Sequence, residues 1–296
     1  MKRKRLTQIF PWLLPLRVKQ KTACFYAAMN LDGNFYAKEQ GESLLPHLLF
    51  ETGCPLYNRE TGFDMIYQEN KVFNLKLAAA TLDRILIKPQ ETFSFWLLVR
   101  DADREIPYKD GLTVIDGELT TAPGGGMCQM SNLLFWAFLH TPLTIVERRG
   151  HAVKDFPEPP SDAPIGVDAT VSEGWVDLKV KNETAATFQI DLNFDEEQII
   201  ARIYTDIDEG HTYEIVNGEP FYYTKNHKIY EEVDVRQRVM DREHGECVAF
   251  KRLYRNLCQI GYELPPGTVI IKEGEKGRDD HGYHEYDTNK NYGLRL

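Results

Sequence analysis

The sequence withholds most of the usual signposts. Its five cysteines, at positions 24, 54, 128, 247 and 258, are odd in number and include no CxxC pair. That pattern does not make a disulfide framework; it fits thiols kept reduced and points to a cytoplasmic or inner-face setting. No stretch approaches the roughly 18 consecutive apolar residues of a membrane span. P-loop, dinucleotide fingerprint, HExxH and GxSxG are all missing, which removes the nucleotide-binding, zincin and serine-hydrolase readings that rest on them. His211, His227 and His244 are scattered. His281 and His284 lie near Glu285, but in a polar tail, so no metal and no cofactor is expected. No internal repeat is present.

Acid is also missing where it would be noticed. The first 31 residues hold Lys2, Arg3, Lys4, Arg5, Arg17, Lys19 and Lys21 and no Asp or Glu. The remaining 28 basic residues face 45 acids, so the rest of the chain carries −17 within a formal total of −10. An acidic body argues against nucleic acid as a partner. The basic start brackets Ile9-Phe10-Pro11-Trp12-Leu13-Leu14-Pro15-Leu16. Two prolines and the lack of a cleavage site weaken a secretory signal. A lipoprotein signal needs an apolar residue three before Cys24, and Lys21 stands there. A packed or solvated arm, or a peripheral contact of residues 1–21 with anionic lipid through Trp12 and the leucines, fits better.

The 296 residues, 42% hydrophobic and 11% aromatic, suit a folded chain with room for one large domain or two small ones. Residues 1–69 read as the basic arm and a mixed segment. Asn74 can cap a helix through Leu75, Ala78, Leu82 and Ile85. Thr92 to Val99 reads as a strand, 100–111 as charged loop, and Leu112 to Ile115 as a short strand before an Asp116-Gly117 turn. Leu143 to Glu147 reads as a strand, and 167–180 as a hairpin around Ser172-Glu173-Gly174. Phe188 to Phe194 alternates strictly and pairs with Ile199 to Tyr204. Residues 206–272 form a β-rich extension, with 248–257 ambiguous, and 273–296 a disordered polar tail. The order predicts an α+β fold: a largely antiparallel sheet, a helix packed on it, and the extension.

The chemistry concentrates in Gly124-Gly125-Gly126-Met127-Cys128-Gln129-Met130-Ser131. Glycines allow a sharp turn or a close approach by substrate. Met127, Met130, Leu134 and Phe138 then repeat as one helix face, so Cys128 falls in a first turn, where free N–H groups and the helix dipole favour a thiolate. His151, at the far end of the 143–147 strand, can return as its proton carrier. Asp168 can fix the imidazole tautomer, giving a cysteine acyl-transfer set. Arg148 and Arg149 could clamp a substrate carboxylate, though successive strand residues face opposite ways and only one can reach. Gln129 either donates into the site or pins the turn. The competing readings are a buried inert thiol, a capping histidine, a turn aspartate and a solvated charge run.

The same segment resembles the GGG-[VIL]-CQ-[VL]-[SA] signature of the VanW family. Lys88 to Phe95 is similar to its KPGETFSF segment, with Gln90 in place of Gly. Ile145 to His151 resembles IVER-x-x-H. Gly166 to Val171 and Asp177 to Asn182 resemble its G-x-DATV and DL-x-x-x-N blocks. The likeness covers about residues 70–205. It implies a protein of the cell envelope and of glycopeptide-resistance clusters, with peptidoglycan or its precursor peptides as partner. It further implies a cysteine acyltransferase of the L,D-transpeptidase kind, with Cys128 as nucleophile and His151 as base. Two alternatives stay open: a non-catalytic module binding such peptides or a resistance protein, and a cytoplasmic thiol enzyme acting on small peptides.

Overall fold

A computed structural model describes residues 10–115, 118–157 and 161–272 of the chain. Residues 1–9, the Asp116-Gly117 turn and the tail from 273, with its His281, His284 and Glu285, lie outside them. The first long element was not foreseen as a helix: α1 (Leu14–Met29) starts with proline in its first turn, where a missing N–H costs nothing. A two-residue β1 (Phe35–Tyr36) and β2 (His47–Pro55) follow. The second helix, α2 (Ile66–Leu82), begins eight residues before Asn74, so Asn74 is not its cap. Asp64 accepts the Ile66 N–H at the true start. After β3 (Leu86–Ile87), the strand expected over 92–99 splits into β4 (Glu91–Ser94) and the short α3 (Phe95–Val99). The break has a cause: Ser94 Oγ accepts the Leu97 N–H, and the Asp177 carboxylate accepts that of Trp96.

The expected 100–111 loop ends early, at β5 (Asp110–Ile115), which pairs with β6 (Glu118–Pro123) as a hairpin. The glycine turn then leads into α4 (Met127–Leu139). Ten of its residues are buried, including Met130, Leu134, Phe135 and Phe138, so it is apolar nearly all round and central. It packs in one core with β-residues Phe93, Phe188, Ile190 and Ile203. The Phe93 and Phe138 ring centroids are 5.0 Å apart. Each such buried ring contributes about 2–3 kcal/mol of apolar transfer.

Beyond β7 (Thr144–Glu147) and β8 (Val153–Lys154), the hairpin expected at 167–180 is not formed. A single bridge links Ser172 and Val176, and only β9 (Lys179–Lys181) is a strand. The backbone of 169–170 is held from outside instead: Asn132 accepts the Ala169 N–H, Ser131 donates to the Ala169 carbonyl, and Thr170 N donates to the Arg149 carbonyl. The antiparallel pair expected at 188–204 is present, as β10 (Phe188–Phe194) and β11 (Gln198–Thr205).

The extension supplies β12 (His211–Asn217), β13 (Phe221–Lys225), β14 (Lys228–Asp241), β15 (Cys247–Ile260) and β16 (Ile270–Ile271). The ambiguous 248–257 is thus the middle of a 14-residue strand paired with β14. The fold is mixed α+β and mostly antiparallel, but its described strands divide among four sheets rather than one. The orders are β1-β4-β9-β7, β2-β11-β10-β3, β16-β13-β14-β15-β8 with β12 on β14, and β5-β6. Three short edge pairs are parallel: β1 with β4, β13 with β16, and β15 with β8. Among the described residues, no helix is long and apolar enough to cross a membrane.

Candidate active site

Three separated stretches meet at the start of α4. Cys128 is the helix's second residue and is half-buried. Its Sγ lies 3.2 Å from Thr170 Oγ1 and 3.7 Å from the Val171 carbonyl. Asp168 is fully buried. One of its oxygens accepts His151 Nδ1 at 2.6 Å and the other accepts the His151 backbone N–H at 2.6 Å. A carboxylate taking that bond makes Nδ1 the protonated nitrogen and leaves Nε2 for the sulfur.

The electrostatics follow from this chain. Burial pushes the Cys128 thiol up, but a hydrogen bond to His151, the imidazolium charge, Thr170 and Val171 outweigh it and leave the thiol below its ordinary value. Burial pulls His151 down, yet Asp168 and the Cys128 sulfur together raise it to about 11. Asp168 also resists its own burial, through His151 and the nearby Arg148, and sits below the usual carboxylate range. The arrangement therefore shifts the pair toward thiolate and imidazolium, backed by a carboxylate.

The two arginines part company. Arg148 is a half-buried structural tie: Nε donates to the Asp168 carbonyl and Nη2 to Asn256 Oδ1, each at 2.5 Å, and the guanidinium lies 4.0 Å from the Tyr254 ring centroid. Arg149 instead lies over the half-exposed Trp175, 4.5 Å from its centroid. Gln129 turns away from the thiol and donates to the Pro55 carbonyl at 2.7 Å and to Cys54 Sγ at 3.3 Å.

The glycines serve the protein's own packing. A Cβ on Gly125 would sit 2.2 Å from the Gly111 backbone, and one on Gly126 (φ 98°) would sit 2.2 Å from Lys71 Cγ. A Cβ on Gly124 would meet the Tyr108 ring at 3.3 Å. At each position the side-chain space is filled by the molecule itself. Beneath the turn, Lys71 donates to Gln68 Oε1 at 2.7 Å; burial lowers its ammonium to about 8, with the Cys54 sulfur opposing. Sequence reasoning missed Thr170, Ser131, Asn132, Asn256 and Tyr254. Thr170 stood inside the DATV block, and Ser131 and Asn132 directly follow the cysteine motif. Asn256 and Tyr254 had no sequence signal.

Fold and site together define a class: an α+β protein with a cysteine at the head of a buried helix, hydrogen-bonded to a histidine that a buried aspartate orients. Residues 70–204 match the family described as VanW like protein. The chain is 60% identical over 276 residues to the vancomycin B-type resistance protein VanW of Enterococcus faecalis (strain ATCC 700802 / V583), covering 93% of this chain and 100% of that protein. It is 36% identical over 163 residues to the uncharacterized protein YoaR of Bacillus subtilis (strain 168), covering 54% of this chain and 52% of that one. No solved structure matches. The chain belongs to the VanW family.

Proposed function

We propose that this VanW-family protein works in vancomycin resistance as a cysteine acyltransferase on peptidoglycan or its precursor peptides. The observation that carries the reading is the continuous Asp168–His151–Cys128 chain, with His151 held by one carboxylate at both its Nδ1 and its backbone N–H. The resistance link is supported by the name and extent of the Enterococcus faecalis relative.

In this reading the Cys128 thiolate attacks an amide carbonyl of a peptide stem. The Met127 and Cys128 N–H groups at the head of α4, ahead of the Gln129 N–H that the Gly126 carbonyl accepts, face the developing oxyanion. The new C–S bond forms, the C–N bond breaks, and the His151 imidazolium hands its proton to the departing amine. An amine of a second stem, or water, then attacks the thioester. His151 takes that nucleophile's proton, the C–S bond breaks, and the thiolate is regenerated. Arg149, stacked on Trp175 and free of any ion pair among the described residues, anchors a carboxylate of the donor stem. Arg148, spent on Asp168 and Asn256, does not.

The test is direct. Wild-type protein incubated with stem peptides should form an acyl adduct on Cys128 visible by intact mass, and exchange product when an amine acceptor is added. Cys128→Ala should abolish both while peptide binding persists. His151→Ala should slow acylation by about 100-fold or more, the usual share of general acid–base catalysis. Binding by wild type with no adduct from any stem peptide would replace this reading with that of a peptide-binding module.

A further inference from the structure

The stretch leading into α1 and the first turns of that helix present their apolar side chains to solvent. Phe10, Trp12, Leu14, Leu16 and Val18 are all exposed, Trp12 at 74% and Leu16 at 65%. Arg17 and Lys19 are exposed among them, and Lys21 follows. Arg17 makes one local bond, to Gln20. Five large apolar side chains on one short arm would not be left in water without a partner.

The other end of the helix is clamped. Tyr26 and Met29 are buried. The Tyr26 hydroxyl is 2.8 Å from Glu173 Oε1 and 3.2 Å from the Trp96 carbonyl, and the Arg100 guanidinium covers its ring at 4.3 Å. Gly174, at φ 77°, lies against Thr22 so closely that a Cβ there would be 3.1 Å from the Thr22 nitrogen. Glu173, Gly174 and Trp175 follow Val171, whose carbonyl faces the Cys128 sulfur. The helix root is thus fixed to the segment that walls the candidate site.

We propose that residues 10–21 dock the protein on an anionic lipid bilayer and hold the Cys128 site beside its surface. Charge selects this occupant. The arm's cations suit anionic headgroups, whereas the chain beyond residue 21, at −17, is repelled by them, so the arm must carry the attachment. Leu14 and Val18 lie on one side of the helix and Leu16 on another, with Arg17 and Lys19 between. A protein groove takes a single apolar face. A bilayer interface accepts mixed azimuths, because Lys and Arg reach outward to the headgroups while Trp and Leu sink. About 12 Å of helix separates Leu14 from Thr22, so the site is held within a short reach of the headgroups. Resting on the acyl-transfer reading, this makes the substrates membrane-borne peptide precursors.

Co-sedimentation of the full chain with lipid vesicles decides it. Binding is expected to phosphatidylcholine vesicles with about 30% phosphatidylglycerol at roughly 0.1 M salt, and to fall off near 1 M salt or without the anionic lipid. Arg17→Glu/Lys19→Glu/Lys21→Glu should lower partitioning by roughly 100-fold or more. Trp12→Ser/Leu16→Ser should lower it at least about 10-fold. Equal binding with and without anionic lipid, or no binding at all, overturns the proposal. So does light scattering that shows a dimer which these same substitutions dissociate, because the occupant is then a second copy. Cys128→Ala should bind vesicles like wild type. Normal peptide acylation without vesicle binding would sink the anchor and spare the acyl-transfer reading.

Discussion

Gln90 turns through φ 67°, a conformation that suits glycine and strains a side chain. It sits between β3 and β4, where its N–H donates to the Asn182 carbonyl at 2.8 Å. The family pattern that this stretch resembles has glycine there, and the backbone explains why. Gln90→Gly should raise stability by about 0.5–1 kcal/mol: relief of the left-handed strain, about 1–2 kcal/mol, exceeds the extra entropy of an unfolded glycine. Gln90→Val should do the opposite, since a β-branched residue at positive φ is worse still. Urea midpoints of the two variants against wild type check both signs, and a lower midpoint for the glycine variant defeats the argument. The same kind of local reason governs Cys128. Its thiol is lowered by specific neighbours, since His151, Thr170 and the Val171 carbonyl outweigh the burial that pushes it up.

The elements around the glycine turn are fastened by one side chain. Asn74, fully buried in the middle of α2, accepts the Lys109 N–H at 2.8 Å and donates to the Lys109 carbonyl at 2.9 Å and to the Gly125 carbonyl at 3.1 Å. Asn74→Leu removes all three bonds; the Lys109 carbonyl keeps the Gly124 N–H, but the Lys109 N–H and the carbonyl of buried Gly125 lose the Asn74 amide. A loss of about 2–4 kcal/mol is expected, with faster amide exchange at the turn than in β10 and β11. Equal loss of protection in the β10–β11 pair would show that Asn74 acts on the whole core and not on the turn. This residue also marks how far the sequence could be read. The helix around it was visible, but a polar residue at the edge of an apolar run looks like a cap. The alternation at 188–204 was legible because each residue there faces either core or neighbour. The 167–171 segment was not, because its bonds go to Ser131, Asn132 and Arg149, partners far away in sequence. Cys128, His151 and Asp168 could be nominated from motif spacing. Thr170 and the bonds of Arg148 to Asp168 and Asn256 could not, since both depend on which segments cross.

Across the whole molecule, the extension shares the core of the site. Val235 belongs to the same apolar cluster as Phe135 and Phe138, and Gln237 donates to the Leu139 carbonyl at the end of α4. Asn256 and Tyr254 on β15 hold Arg148, which in turn holds the Asp168 carbonyl. The charge triad is therefore coupled to global stability, and its sign can be worked out. His151 titrates at about 11 in the fold against roughly 6.5 in an unfolded chain. A raised histidine stabilises fully below the unfolded value and loses that contribution as pH climbs through the folded one. Asp168 is depressed, so its contribution is present above the ordinary carboxylate value near 4 and fades as pH falls below it. Cys128 is depressed as well and gains stability up to its ordinary value of about 8.5, which offsets the histidine between roughly pH 7 and 8.5, so the imidazole is isolated by removing the thiol. Cys128→Ala and Cys128→Ala/His151→Gln should accordingly differ most near pH 6, and the gap should close by up to about 1 kcal/mol per pH unit as pH rises above about 7. Denaturant unfolding of both proteins at several pH values measures that gap. A difference that stays flat across the range means the imidazole is neutral in the fold, and Asp168 holds no imidazolium for a thiolate.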